Sequence, residues 1–362
     1  MIYKLKAMSQ KGEKLDRNSI LITISWLIWG AGFYFYYPFY SILVAKYIGE
    51  NNLGQFFTYL EIISLPFPIL GALLFRKIGE KNTIILGMLL SGLGIFIIPY
   101  AKSYFDLLFA SVISYLFYIS LPNYYSLMKN KESGTLTKIW AISVLPAVIF
   151  PILGGSSAQV ISLKIPFILG GLLTCASGFV IFPINDKVER GSFKISIKKD
   201  PTPFLSIIPI ALVTPFLMPE LVRVYHMNYF LIGLIDSLLE TLGMISGFFL
   251  PRVNKLGLPI SLLIFSLISF FYFYWPFSLV FGMREAIIPL SLDYWSSPKS
   301  PEGISLINTM QLLGWVVGYG ISWILKAPKN SIVFSSIFSF ALGLYLIFII
   351  LLEKKNGNRI MN

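Results

Sequence analysis

One cysteine and one histidine are all the soft metal-ligand chemistry that 362 residues carry. Cys175 stands alone in an apolar run, so no intrachain disulfide can form and the fold does not depend on an oxidising compartment. With His226 the only imidazole, a catalytic metal centre lacks its ligands, and no cofactor is expected. Charge is scarce too: 13% of the residues are Asp, Glu, Lys or Arg, against roughly a quarter in a soluble domain. Such a chain cannot clothe a water-facing surface. No G-x-x-x-x-G-K-[ST] loop is present to cradle a nucleotide. No Asp-rich cluster lies on a polar joint, as a membrane-embedded prenyl-transferring enzyme would need for Mg²⁺ and a diphosphate. Enzyme activity is therefore not expected. The net charge of +12 scatters over many joints with no nucleic-acid motif to gather it, so nucleic acid is not an expected partner. The polar stretches at either end are too short to suggest an appended signalling domain.

What the chain does have is apolar length. Hydrophobic residues make up 56%, and the mean hydropathy is +0.75. This is the signature of a polytopic membrane protein, in which lipid replaces water around the outside and each backbone amide is satisfied within its own helix. Twelve apolar intervals are long enough to cross a hydrocarbon core of about 30 Å. They are 20–45, 52–75, 82–101, 105–128, 136–160, 164–184, 203–222, 228–251, 257–274, 276–296, 303–325 and 331–352, called spans one to twelve below. The first 19 residues are polar and basic, and the run after them is too long for a signal h-region, which predicts a retained first helix. Joints as short as Trp275-Pro276 force antiparallel neighbours. The longest polar interval, Asn185 to Pro201, separates spans six and seven.

The basic residues sort by side. The stretch before span one, the joints after spans two, four, six, eight and ten, and the C-terminal tail hold 22 of them. The other joints hold six, and Arg284 lies inside span ten. The positive-inside rule then places both termini and the central linker in the cytoplasm of a multi-pass cell-membrane protein.

An internal repeat divides the chain. Gly54 and Gly233 lie 179 apart, Glu61 and Glu240 179 apart, and Gly79 and Gly257 178 apart, close to half the length. The expected organisation is a cytoplasmic tail (1–19), a six-helix bundle (20–184), a linker (185–202), a second six-helix bundle (203–352) and a tail (353–362).

Spans, linker and repeat together resemble the major facilitator superfamily over nearly the whole chain. The sharpest point of resemblance is the joint after span two, Ala72 to Lys81, ALLFRKIGEK. Gly79 and Lys81 match the family's loop motif and Lys77 stands for its Arg, while Arg76 replaces its Asp and Ala72 its first Gly. A second point is Pro151-Ile152-Leu153-Gly154-Gly155 on span five, similar to the Gly-Pro-x-x-Gly-Gly element of the family's exporters, with Phe150 in place of the leading Gly. Ordinary small-residue packing is the competing reading of Pro151, Gly154 and Gly155. Lys131-Glu132-Ser133-Gly134 and Pro301-Glu302-Gly303 echo each other as turn and helix-start residues.

Of the charges inside spans, five are the candidates for a role there: Glu61, Asp236, Glu240, Arg284 and Glu285. Each costs at least about 2.5–3.5 kcal/mol at mid-helix if unpaired. Counting inward at 1.5 Å per residue puts Glu61, Asp236 and Arg284 about 12–13 Å deep and Glu240 about 18 Å. Asp236 and Glu240 are four apart and share a helical face. Arg284 and Glu285, being adjacent, are expected to point in different directions. Two readings of the group stand side by side. Arg284 neutralises Asp236 or Glu240 as a structural pair, or one carboxylate, Glu240 before Asp236, exchanges protons as its surroundings change. Glu61 is expected to make an interhelical hydrogen bond near the axis between the halves.

Span one carries Trp29, Phe33, Tyr36 and Tyr40 at i, i+4, i+7 and i+11, one helical stripe. In the family that this chain resembles, the first helix lines the central cavity, where such rings could stack on an apolar or ring-shaped solute. Lipid-facing packing is the alternative. Asn123, Tyr124 and Tyr125 on span four are further cavity candidates, and Asp293 and Tyr294 hold the corresponding place on span ten.

The resemblance implies an all-α membrane protein of twelve transmembrane helices in two pseudo-symmetric bundles. It would be a monomeric secondary transporter working by alternating access on a small organic solute. Without a nucleotide loop the energy source should be a gradient, with protons the expected coupling ion. The span-five element and the aromatic stripe lean to export of an amphipathic compound; uptake of a sugar or organic acid is the alternative.

Overall fold

The computed structural model describes residues 17–128, 135–184, 200–296 and 301–360. The expected linker, apart from 200–202, and the turn Lys131 to Gly134 lie outside them, as do the side chains of Tyr125, Tyr294 and Glu302. The described residues are helical almost throughout, and each predicted span contains helix, while the 3₁₀ stretch Leu250–Leu256 crosses the joint between spans eight and nine and the last helix, Pro328–Ile360, runs past the end of span twelve. Seven stretches are long and apolar enough to cross a membrane; two of them, Glu50–Tyr100 and Tyr229–Tyr272, each run through two predicted spans.

Twelve unbroken helices is not what forms. Span one is continuous over Arg17–Ile48, with Pro38 inside it. Span two breaks at Leu65-Pro66 into Leu53–Ser64 and Phe67–Ile78, and span four breaks after Ser114. Span five has a 3₁₀ turn at Leu145–Val148 before Phe150–Val160, and span seven divides into Thr202–Val213 and Leu217–Tyr225. Span ten changes its hydrogen-bond pattern twice, from 3₁₀ (Trp275–Met283) to α (Arg284–Leu290) to π (Ser291–Ser296). The breaks in spans two, five and seven fall at or beside Pro66, Pro146 and Pro215, and the α-to-π change in span ten follows Pro289; the break in span four has no proline beside it. Proline removes an amide donor and crowds the preceding turn. In hydrocarbon such irregular backbone survives only where protein or a cavity covers it.

The ends are capped locally. Ser103 opens span four with a reciprocal capping box, Asp106 N donating to Ser103 Oγ at 3.1 Å and Ser103 N to Asp106 Oδ2 at 3.0 Å. Asn228 caps span eight by accepting from Leu231 N at 2.9 Å. His226, the lone imidazole, closes span seven in the left-handed region at φ 52. Cys175 packs half-buried between spans six and three, its thiol on Leu89 O at 3.6 Å.

Packing follows one plan twice. Span one packs on spans six and five, six on three, and four on two and three. Span seven packs on twelve and eleven, twelve on nine, and ten on eight and nine. The most extensive contacts joining these groups are span two with eleven and five with eight. The outer surface is apolar, with rings such as Phe105, Phe179, Phe273 and Phe340 exposed, as lipid-facing residues should be.

The repeated glycines sit on those joining contacts. A Cβ on Gly54 would lie 2.6 Å from Trp323 N, and one on Gly233 would lie 2.2 Å from Pro151 O. Each lets a backbone cross without side-chain spacing. The third pair is different. Gly79 turns the chain at φ 87, but Gly257 is helical at φ −56, and the turn after span eight is made by Asn254 at φ 52. The 178-residue match of Gly79 with Gly257 is therefore a coincidence of composition.

Gly54→Ala and Gly233→Ala should each cost about 1–3 kcal/mol through overpacking at these crossings. Gly320→Ala, where a Cβ meets nothing within 4 Å, should be neutral or gain up to about 1 kcal/mol of helix propensity. Thermal midpoints of the purified variants in detergent check this ordering; equal midpoints for Gly233→Ala and Gly320→Ala would refute it.

Candidate functional site

The stripe on span one faces inward. Trp29, Phe33, Tyr36 and Tyr40 all line a cavity of about 160 Å³ enclosed by spans one to six on one side and spans ten and eleven on the other. The rings support each other: Trp29 stacks on Phe117 at 4.6 Å, and Phe33 on Tyr37 at 4.4 Å. Tyr40 meets Phe57 edge-on at 5.5 Å. Such contacts restrict the rings' rotamers, so the wall is shaped before anything enters it.

Span ten supplies the charge. Arg284 begins the short helix Arg284–Leu290 and is buried. Its guanidinium donates to Glu240 Oε1 of span eight through Nη2, and to Glu285 Oε1 through Nε at 3.0 Å. It also lies over the rings of Phe281 at 4.4 Å and Tyr37 at 5.2 Å. The expectation that Arg284 and Glu285 diverge is wrong. Side chains 100° apart on a helix can still converge when the arginine stem is long enough to curl along the axis. Glu285 in turn accepts from Trp140 Nε1 of span five at 2.6 Å, carrying the network across to the other group of spans. Asp236 is fully buried with neither oxygen partnered among the described residues; it shares a small second cavity of about 20 Å³ with Arg284.

Glu61 does not make the expected interhelical hydrogen bond at Oε2, which has no partner among the described residues. It is 1% exposed and points into the main cavity, among Tyr40, Tyr115, Tyr118 and Tyr319. No lysine or arginine among the described residues lies within ion-pair distance of it. Its neighbours on spans one, four and eleven are tyrosines, and the hydroxyl of Tyr40 is likewise without a partner among the described residues.

Two other expectations fail. Asn123 and Tyr124 are buried outside the cavity: the Asn123 amide donates to Ile119 O at 3.1 Å, and Tyr124 pairs with Ser25 and packs on Trp26. On this helix Phe117, Tyr118 and Leu121 line the cavity; at about 100° per residue Asn123 falls on another face, and Tyr124 lies a turn beyond Leu121. Asp293 is also not a cavity residue; it accepts from Thr137 N at 2.7 Å and Thr137 Oγ1 at 2.5 Å. A carboxylate thus satisfies an orphan amide at the start of span five, from across the divide. Span seven does not line the main cavity. Thr214, Leu217 and Met218 reach only the smaller one, because span eleven lies between.

Span eleven is what sequence reasoning missed. Asn308, Gln311, Trp315 and Tyr319 line the cavity at i, i+3, i+7 and i+11, a stripe of the kind read on span one. Asn308 is buried with neither amide atom partnered among the described residues. Glu220 was missed as well: buried on span seven, it binds Arg223 through both oxygens at 2.7 Å and accepts from Tyr272 at 2.9 Å.

The two groups of spans touch on both sides of the cavity. On the side of the Thr137–Asp293 contact, Ile22, Trp26 and Leu121 join Leu292, Ile304 and Ile307 in one apolar cluster. On the other, Glu50 meets Arg223 at 3.4 Å and Lys46 donates to the Tyr229 hydroxyl. The loop-motif residues lie away from the cavity: Lys77 is exposed, Gly79 turns the chain, and Lys81 donates to Phe182 O at 3.3 Å. Pro151, Gly154 and Gly155 act through backbone approach. A Cβ on Gly154 would lie 2.2 Å from Phe35 O of span one, and one on Gly155 2.4 Å from Tyr229 O of span eight.

Arg284→Met should leave Glu240 and Glu285 without their cation and cost about 3–5 kcal/mol. Adding Glu240→Gln and Glu285→Gln should return much of that loss. Folded yield by size exclusion in detergent measures it, and a triple variant no better than the single one would contradict the pairing.

No protein-family profile matches the sequence, and no curated protein sequence does. Among solved structures, the chain is similar to the crystal structure of the human organic anion transporter MFSD10 (TETRAN), with a TM-score of 0.65 and 12% identity over 90% of this chain and 98% of that one. At that identity the likeness is one of fold. The chain is an all-helical, multi-pass membrane protein with the major-facilitator fold.

Proposed function

We propose that this protein is a secondary active transporter that binds a small organic solute in the aromatic cavity and exposes it alternately to the two sides of the membrane. The observation that carries this reading is the cavity itself: it is enclosed by two groups of spans that meet on both of its sides. On each side the meeting rests on a few hydrogen bonds or ion contacts, or on an apolar cluster, so either can part while the other holds.

Residues 20–184 and 203–352 form the two six-helix bundles of this reading, making twelve crossings in all. The packing of spans that repeats with a shift of six supports it, as do Gly54 and Gly233 at matching crossings. The excess of basic residues on one side supports a cytoplasmic location for both termini and the linker 185–202. The molecule works as a monomer, since the cavity is complete within one chain. Export of an amphipathic compound is favoured by the ring-lined wall and by the close packing of Pro151, Gly154 and Gly155 between spans one and eight. The coupling ion is the proton, carried by Glu240 or Asp236 beside Arg284. Three carboxylates surround one guanidinium, so the group holds more negative charge than its cation can balance, and protons make up the difference.

The test is purified protein in liposomes, given a panel of organic solutes with and without an imposed pH gradient. Glu240→Gln should fold nearly normally, because Glu285 keeps Arg284 paired. It should abolish pH-driven accumulation while sparing solute exchange. A collapse in yield would make the pair structural. Unchanged pH-driven transport would make Glu240 a bystander. No solute moving under any gradient would overturn the transporter reading.

A further inference from the structure

We infer that the cavity binds an organic cation, with Glu61 as its counter-charge. This rests on the cavity being a solute site and adds the sign of the solute's charge.

The main cavity has one basic residue in its lining, Arg284, and two acidic ones, Glu61 and Glu285. The guanidinium is already held by Glu240 and Glu285 and covered by Phe281 and Tyr37. An arriving anion would have to displace a carboxylate and leave it buried without a partner, which costs more than the new pair returns. Glu61 is the opposite case. It is 1% exposed, its Oε2 is unpartnered among the described residues, and no basic side chain is within ion-pair distance. A carboxylate so placed is stable only with a proton on it or a positive charge beside it.

The surroundings decide between kinds of cation. A hard metal ion needs several oxygen ligands. Glu61 instead faces the rings of Tyr40 on span one, Tyr115 and Tyr118 on span four, and Tyr319 on span eleven, with Trp315 close by. Aromatic faces carry negative charge density and hold ammonium groups and their alkyl substituents by cation–π attraction, most strongly where water is excluded. Asn308 lines the same cavity but stands eleven residues, about 16 Å of helix rise, from Tyr319, where it can meet only a distant part of the solute. The arrangement fits a monovalent organic base with an aromatic or branched alkyl body. The organic anion cargo of the structurally similar human protein does not fit it.

The experiment uses the full chain in lipid nanodiscs and two probes of nearly equal size and opposite charge, benzyltrimethylammonium and phenylmethanesulfonate. Binding is followed by calorimetry and by quenching of the cavity tryptophans, Trp29, Trp140 and Trp315. The cation should bind saturably and about tenfold or more tighter than the sulfonate; Glu61→Gln should weaken the cation about tenfold or more and leave the sulfonate within about twofold. Sulfonate binding equal to or tighter than the cation, no saturable cation binding, or full cation affinity in Glu61→Gln would each overturn the inference. Should Glu61→Gln fail to fold, the preference of the unaltered protein between the two probes still decides. A cation that binds but is not moved across liposomes would sink the transporter reading and leave the cation site standing. An anion that is moved, with no cation bound, would do the reverse.

Discussion

A guanidinium inside a membrane protein has to be neutralised where it stands, and Arg284 shapes what surrounds it. The short α-helix that carries it begins at that residue, between a 3₁₀ stretch and a π stretch. Irregular backbone of this kind re-aims side chains within one crossing, bringing Arg284 to both Glu240 and Glu285. Glu285 then reaches Trp140 on span five. One buried charge thus ties together spans eight, ten and five, two of them in one group and the third in the other.

Helix crossings in lipid gain nothing from expelling water, so close packing has to hold them. Glycines provide it at the seams. Gly54 against span eleven and Gly233 against span five bring backbones to within van der Waals range where the two groups meet. The polar contacts between the groups are few by comparison, and they lie toward the ends, as with Thr137 and Asp293, or Glu50 and Arg223. The glycine crossings lie toward the end of the spans that also carries Glu50 and Arg223, with Glu50 four residues from Gly54 and Tyr229 four from Gly233. The breaks at Leu65-Pro66, Tyr115-Leu116 and Met283-Arg284 lie in spans that bound the cavity.

Much of this was legible in the residue string, and the reasons are local. Hydropathy located the helical spans because a hydrocarbon solvent acts on each residue separately. The stripe of Trp29, Phe33, Tyr36 and Tyr40 was readable because helix periodicity alone puts those rings on one face. Rarity in apolar surroundings picked out Glu61, Asp236, Glu240, Arg284 and Glu285. Span eleven's stripe was there to be read, but Asn308 and Gln311 are unremarkable in composition and only their spacing with Trp315 and Tyr319 marks them.

Partners were another matter. Which carboxylate Arg284 binds, whether Glu61 has a donor, and that Asp293 caps span five all depend on distances between helices far apart in sequence. Asn123 and Tyr124 looked like cavity residues until the rotation and packing of span four placed them elsewhere. Gly79 and Gly257 matched in letter and not in backbone angle. The sequence by itself determined that this chain lives in a membrane, where its helices run and which of their faces are aromatic, because each of those follows from short-range periodicity and solvent preference. The tertiary structure alone decided which charges are paired and which is left open to the cavity, because pairing inside hydrocarbon is settled by how helices cross and not by where residues fall along the chain.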